Sequence, residues 1–333
     1  MKAFPSNISS HKNSVIVGCG GYLPERIVTN HEMAKMVDTS DDWIVERTGI
    51  KTRHFAAPHQ STSDLAFEAA LVALKQANLS PQDIDLIIVA TITPDRTFPS
   101  TAIFVQHKLC NTTALAFDVS GACAGFLLAL QTADNFLKLG QGKHALVIGA
   151  EVMSSLIDME DRRTCILFGD GAGAVVLTCQ ESHENQEQRG ILGIHLQSDG
   201  QYHPILFADG GVSTNKMVGK LRMNGQDVYR HAVTKMTDCA KKILKTYDLT
   251  IDDIDWLIPH QANLRIIESV AQKLKISSEK IILTVQDHAN TSAASIPLAL
   301  WSACVQGRIK PGDLILHEAI GGGLIWGSAL VRF

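Results

Sequence analysis

The chain has 333 residues, 45% hydrophobic and 19% charged, with a formal net charge of −4 and a pI near 6.3. Those values exclude a disordered chain and leave no basic footprint for nucleic acid, and the length allows one large or two ordinary domains. Seven dispersed cysteines lack C-x-x-C or Cys/His ligand spacing, residues 1–13 are polar, and no apolar run is long enough to span a bilayer. A cytoplasmic protein with reduced thiols and no metal is expected.

Residues 14–18 read as a buried strand, and Asn30 is placed to cap a helix running to Met36. Residues 38–50 read as an amphipathic helix whose Trp43 packs on the core; Trp43 with Arg47 offers the alternative of stacking on a purine. Ser63 is expected to cap a helix whose apolar positions Leu65, Ala69, Val72 and Ala73 follow the 3.6 period. Residues 85–91 form a β-branched run suited to a strand buried on both faces. Phe98-Pro99-Ser100 opens a helix, 115–119 is a strand, 123–139 a helix ended by Gly140, and 144–151 a strand.

Residues 180–188 are polar and acidic and read as a surface loop. Beyond 190 come a long amphipathic helix at 225–247, a strand at 255–259 and a helix at 263–274. A strand near 281–284, a helix at 295–305 and strands at 313–319 and 326–333 complete the chain. The alternation predicts an α/β fold. Residues 83–88 (DIDLII) match 253–258 (DIDWLI), an offset of 170 (253 − 83), and a Gly-rich turn precedes a late strand in each half. A duplicated unit with halves at 1–180 and 190–333 follows, its equivalent strand ends meeting at one crevice.

Candidate chemistry gathers at those strand ends. Cys123, in DVSGACAGF, lies between small residues where a strand yields to a helix, and a helix N-terminus favours a thiolate. A lowered thiol pKa and fast alkylation are expected. His260, in PHQAN, ends an apolar strand; His288 is its competitor, standing close to Asn290. Asn290 reads either as an N-cap or as a donor to an oxyanion or enolate. Gly169–Gly173 resembles a phosphate loop only superficially. Gly321–Gly323 would let backbone N–H groups approach a thioester oxygen. Cys, His and Asn together suggest acyl chemistry through a thioester.

Taken together, DTSDDWIVERTGI (38–50), DVSGACAGF (118–126), FGDGAGAVVL (168–177), PHQAN (259–263), NTSAAS (290–295) and GGGLIWGSALVRF (321–333) resemble the β-ketoacyl-acyl-carrier-protein synthase III family. These are the initiating condensing enzymes of type II fatty-acid synthesis. The likeness runs from about Val15 to Phe333. It implies a thiolase-like duplicated α/β fold in five layers, αβαβα, and a homodimer. It also implies Cys123 as acyl-accepting nucleophile, His260 and Asn290 as the pair assisting malonyl decarboxylation, and the N–H groups of Cys123 and Gly322 as the oxyanion hole. Trp43 and Arg162 would sandwich the coenzyme A adenine, with Arg47 and Asn263 as further coenzyme A or substrate contacts. Arg265 would dock an acidic acyl carrier protein, and Phe98 would cross the dimer interface to limit the acyl pocket. Coenzyme A enters as a substrate thioester, with no resident cofactor.

The chain departs from the family where His288 and Ala289 precede Asn290 and where Ile320 precedes the glycine triplet, which leaves the primer open. Other readings also remain open. A thiolase would use a second cysteine, with Cys304 to hand, and a hydroxymethylglutaryl-CoA synthase would need a glutamate base near Cys123. A relative of secondary metabolism, a cysteine protease and a non-catalytic coenzyme A or carrier binder complete the set.

Overall fold

The computed structural model describes residues 12–181 and 188–333. In chain order the first half holds β1 (Lys12–Tyr22), β2 (Arg26–Thr29), α1 (Asn30–Met33), α2 (Asp41–Thr48), β3 (Thr52–Phe55), α3 (Thr62–Ala77), β4 (Leu86–Ala90), α4 (Thr101–Lys108), β5 (Leu115–Val119), α5 (Gly125–Lys138), β6 (His144–Glu151) and β7 (Gly171–Glu181). The second holds β8 (Gly190–Ser198), β9 (Leu206–Ala208), β10 (Leu221–Met223), α6 (Gly225–Thr246), β11 (Trp256–Pro259), α7 (Leu264–Leu274), α8 (Val285–His288), α9 (Ser295–Val305), β12 (Leu314–Gly321) and β13 (Ile325–Arg332).

Two mixed sheets carry the fold, in the orders β1-β7-β6-β4-β5 and β8-β13-β12-β11. Read in this direction the first four strands of the five-stranded sheet correspond to the four of the second, and β5 adds a parallel edge beside β4. β4 runs parallel to β6 as β11 runs parallel to β12, and the pairs β1-β7, β7-β6, β8-β13 and β13-β12 are antiparallel. Alternation along the central strands explains the layers. Ile87, Val89, Leu146 and Ile148 pack outward under α3 and α4. Leu86, Ile88 and Val147 face inward onto α5 and α9, which also cover Ile258, Ile315 and Ala329 of the second sheet. Leu257, Leu314 and Leu316 face α6 and α7 on the far side. The result is the five-layer αβαβα arrangement of a duplicated thiolase-like fold. Both capped 3₁₀ turns before the matching strands, Pro81–Asp83 and Ile251–Asp253, obey the offset of 170.

Several expected boundaries shift for local reasons. Thr29, not Asn30, caps α1, which ends at Met33; the Asn30 amide is buried and donates to Asp41 and to the Ile50 carbonyl, both at 2.8 Å. Ser61 caps α3, because Asp64 three residues on returns the bond to its backbone, and Ser63 instead donates to Asp95 at 2.6 Å. Within α3, Leu65, Ala69 and Ala73 are buried while Val72 is exposed. α4 starts at Thr101, where the Asp118 carboxylate accepts the N–H groups of Thr101 and Ala102. No strand forms at 281–284. Ile281 makes one bridge to Leu257, and the Gln261 carboxamide takes the Ile282 carbonyl and the N–H groups of Thr284 and Val285. Of the expected loop at 180–188, Gln180 and Glu181 end β7, and residues 182–187 lie outside the described residues, as do 1–11. Gly171–Gly173 lies inside β7, so no phosphate loop exists there.

Candidate active site

Equivalent turns from the two halves meet at the centre. After β5 the chain makes a 3₁₀ turn, Ala122–Ala124, that runs directly into α5, so Cys123 precedes the helix rather than starting it. After Asn290 a second 3₁₀ turn, Ser292–Ala294, runs into α9. Ala122 (φ 45°) and Ser292 (φ 51°) sit 170 residues apart, and both hold the left-handed backbone that side chains avoid. Strain repeated at equivalent points is typical of a site whose geometry the surrounding packing enforces. Gly321, at the end of β12, closes on the first turn: a Cβ there would lie 2.9 Å from the Cys123 nitrogen and 2.5 Å from the Gly121 carbonyl oxygen.

The turns floor a cleft of about 1210 Å³. Cys123, His260 and Asn290 line it and are all buried. His260 follows β11, with its N–H on the Glu318 carbonyl and its Nδ1 2.7 Å from Ser295 Oγ. Burial pushes its pKa down to about 3, so the ring is neutral. Asn290 commits its carbonyl oxygen to the Ser292 N–H at 2.9 Å, which leaves the amide NH₂ for the cleft. Asn290 therefore does not cap α9, whose N-cap is Ala294; its side chain satisfies the turn that precedes the helix.

The Cys123 thiol behaves differently from expectation. Burial pushes it up to about 12; the Ser292 hydroxyl and its own N–H oppose this, while the Glu151 charge adds to it. Desolvation outweighs the helix field here. His288, the competing histidine, lies outside the cleft lining, and burial holds it down at about 4. Cys304 is a free thiol near that of Cys19 and does not reach the cleft. The fully buried Glu151, Gln261 and Arg53 were not singled out by sequence reasoning.

The rim is cationic. Trp43 is half-buried on α2, with the Arg47 guanidinium 4.7 Å and that of Arg162 5.3 Å from its ring centroid. The indole packs on the core, as the helix reading expects, and also lines the cleft. Arg162 also donates to the Asp38 carbonyl at 2.7 Å. Asn263 caps α7 through the Ile266 N–H and lines the cleft, next to the exposed Arg265. Gly322 sits against Leu206, whose carbonyl would be 2.8 Å from an added Cβ. Phe98 is not brought to the cleft within this chain and is 82% exposed. Among the described residues no helix is long and apolar enough to cross a membrane.

Residues 117–200 match the family model for 3-oxoacyl-[acyl-carrier-protein (ACP)] synthase III, and residues 244–333 match the model for the C-terminal part of the same family. The chain is 55% identical over 320 residues to beta-ketoacyl-[acyl-carrier-protein] synthase III of Rhodospirillum centenum, spanning 96% of this chain and 99% of that one. The same enzyme of Paramagnetospirillum magneticum is 56% identical over 319 residues, spanning 96% and 98%. The solved 3-oxoacyl-[acyl-carrier-protein] synthase III of Aquifex aeolicus superposes with a TM-score of 0.90 at 46% identity, over 96% of this chain and all of that one. The priming beta-ketosynthase of the R1128 polyketide pathway also gives 0.90, at 33% identity over 96% of each chain. The chain belongs to the β-ketoacyl-acyl-carrier-protein synthase III family.

Proposed function

We propose that this condensing acyltransferase forms an acyl-Cys123 enzyme from acetyl-CoA or a similar primer. It then condenses that acyl group decarboxylatively with malonyl-acyl-carrier-protein to give the 3-oxoacyl carrier and initiate fatty-acid synthesis. The observation that carries the reading is the meeting of Cys123 from one half with His260 and Asn290 from the other at the floor of one cleft.

In the first step the Cys123 sulfur attacks the primer thioester carbonyl. The N–H groups of Cys123 and Gly322 receive the oxyanion, and coenzyme A departs. In the second, loss of CO₂ from the malonyl group leaves an enolate, stabilised by the His260 Nε2–H and the Asn290 NH₂. The enolate carbon attacks acyl-Cys123. Each such donor is worth about 2.7–4 kcal/mol of barrier. Both steps are complete with thioester substrates and call for no metal or redox cofactor.

Trp43 and Arg162 would hold the coenzyme A adenine. Arg162 already stands over the indole, so a purine entering between them displaces it. Arg47 and Asn263 would contact the rest of the coenzyme, and Arg265 an acidic carrier protein. A homodimer fits the β5 edge of the first sheet, where Leu115 is 52% exposed and Phe98, more exposed still, would be covered by a second copy. The units 1–180 and 190–333 are taken as the duplicated domains, and the seven unpaired cysteines support a cytoplasmic setting.

The test is intact-protein mass after incubation with a panel of acyl-CoA primers, followed by malonyl-carrier. Wild type should gain an acyl adduct that malonyl-carrier discharges, and Cys123→Ala should gain none. Absence of an adduct with every primer would defeat this reading. Discharge only from a non-acetyl primer would favour priming in secondary metabolism.

A further inference from the structure

Glu151, the last residue of β6, is wholly buried, yet it is held in place by hydrogen bonds from both halves. Its carboxylate accepts the Thr91 and Thr93 hydroxyls at 3.0 and 2.7 Å and the N–H groups of Ile92 and Thr93. From the second half it accepts the Ser292 hydroxyl at 3.0 Å. The turn that carries Ser292 packs against the chain just after Cys123, where a Cβ on Gly125 would lie 3.4 Å from that of Ala293, and the Ser292 hydroxyl opposes the rise that burial imposes on the thiol. Ser292 thus donates to Glu151 and keeps lone pairs with which to accept a proton from the thiol.

The thiol needs such an acceptor. Ser295 Oγ accepts the Gln261 N–H and, among the described residues, has His260 Nδ1 as its one hydrogen-bond acceptor; with the hydroxyl proton satisfied there, Nε2 carries the ring proton. In that tautomer His260 is a donor to the cleft and cannot take the Cys123 proton. Glu151 can: burial raises it to about 7, which makes it a stronger base than a surface carboxylate. The surrounding elements compete little. Residues 91–93 and the Ser292–Ala294 turn carry no titratable group. Asp170, just before β7, spends its carboxylate on Ser154 and the Ala56 N–H.

We propose that Glu151, acting through Ser292, takes up the Cys123 proton during acyl transfer. The inference rests on Cys123 being the nucleophile. As the new S–C bond forms, the thiol proton passes to Ser292 Oγ and the Ser292 proton to Glu151, while the carbonyl pair moves onto oxygen. The oxyanion collapses, the bond to the coenzyme A sulfur breaks, and that sulfur leaves as a thiolate that solvent protonates. Glu151 stays protonated through the life of the acyl enzyme. When the enolate displaces Cys123, the expelled thiolate recovers the proton by the reverse route. Glu151 never touches substrate; it acts through Ser292.

Rapid-quench mass spectrometry of acyl-Cys123 formation across neutral and mildly alkaline pH tests this in wild type, Glu151→Gln, Glu151→Asp and Ser292→Ala. Malonyl decarboxylation is measured separately in a Cys123→Ala background, where no thiol proton moves. Acylation by Glu151→Gln should fall about 10²-fold or more and lose its rise near pH 7. Decarboxylation should fall far less, and Glu151→Asp should restore the rise. Wild-type acylation rates in Glu151→Gln would overturn the relay alone. An equal fall in both half-reactions would overturn it in favour of a purely structural carboxylate. Failure of wild type itself to acylate would overturn the functional reading with it.

Discussion

Ser295 fixes which way the His260 ring is protonated. Its hydroxyl lies 2.7 Å from His260 Nδ1, its one hydrogen-bond acceptor among the described residues, and takes the Gln261 N–H at 3.3 Å, which turns the hydroxyl proton to the imidazole. The proton left to the ring is on Nε2, which is where an enolate needs a donor. Ser295 is the first residue of α9, so the helix that follows the Asn290 turn also orients the histidine that Asn290 works beside.

Ser295→Ala should therefore slow decarboxylation and condensation more than acyl transfer. Loss of the tautomer bias leaves a fraction of rings with an acceptor facing the cleft, and the ceiling is the roughly 10²–10³-fold cost of deleting an oxyanion donor. Stopped assays of each half-reaction measure the split. Equal loss in both would place Ser295 in support of the fold rather than of His260.

Cys123 should be a slow target for simple alkylation in the free enzyme. Burial pushes its thiol up to about 12, so little thiolate exists near pH 7 and the fraction grows as pH rises. Cys110 is exposed and should be modified first. Peptide mapping after brief iodoacetamide treatment at neutral and alkaline pH checks the order. Preferential labelling of Cys123 at neutral pH would mean that the field of α5 overrides desolvation.

The meeting of Cys123, His260 and Asn290 was legible because they stand where apolar strands end and small residues begin, patterns that need only a few neighbours to recognise. β5 and β6 were readable to the residue for the same reason. Caps slipped by one or two positions where two candidates adjoin: Thr29 beside Asn30, and Ser61 near Ser63, with Asp64 deciding the second case. The missing strand at 281–284 depends on the side chain of Gln261, which satisfies backbone groups that a ladder would otherwise use. Glu151 was silent because its meaning lies in Ser292, 141 residues away, and no local pattern carries that pairing. The thiol shift was misjudged because a helix N-terminus is visible in sequence and the depth of burial is not.

Trp43→Ala should weaken coenzyme A recognition without touching the chemistry. The indole lines the cleft beside two guanidinium groups, and it packs against the core, so its removal takes away a stacking surface at the rim. KM for acetyl-CoA is expected to rise about tenfold, the equivalent of about 1.4 kcal/mol, with kcat little changed. A truncated thioester lacking the nucleotide should be used equally by both enzymes. A comparable loss with that truncated substrate would show that Trp43 serves α2 and the core alone.

Acid stability should be set by opposing buried groups. Burial pushes His260, His288 and His317 down to about 3, 4 and 4, so between those values and the ordinary 6.5 each is neutral in the fold and charged in the unfolded chain. The unfolded state then binds more protons, and their contribution is full above pH 6.5 and lost as pH falls toward 4. Glu151 and Glu318 act in the other sense. Burial raises both above the ordinary 4.5, so their contribution is full in acid and is lost as pH rises, through about 7 for Glu151. His317 lies within β12, outside the cleft, and its replacement isolates one member of the first set. His317→Leu keeps a similar volume and removes one proton-binding site from the unfolded chain. Urea denaturation at pH 5 should show the variant gaining up to about 2 kcal/mol over its difference from wild type at pH 7. An identical difference at both pH values would mean that His317 binds its proton equally in the folded and unfolded chain. The acid limb would then belong to His260 and His288.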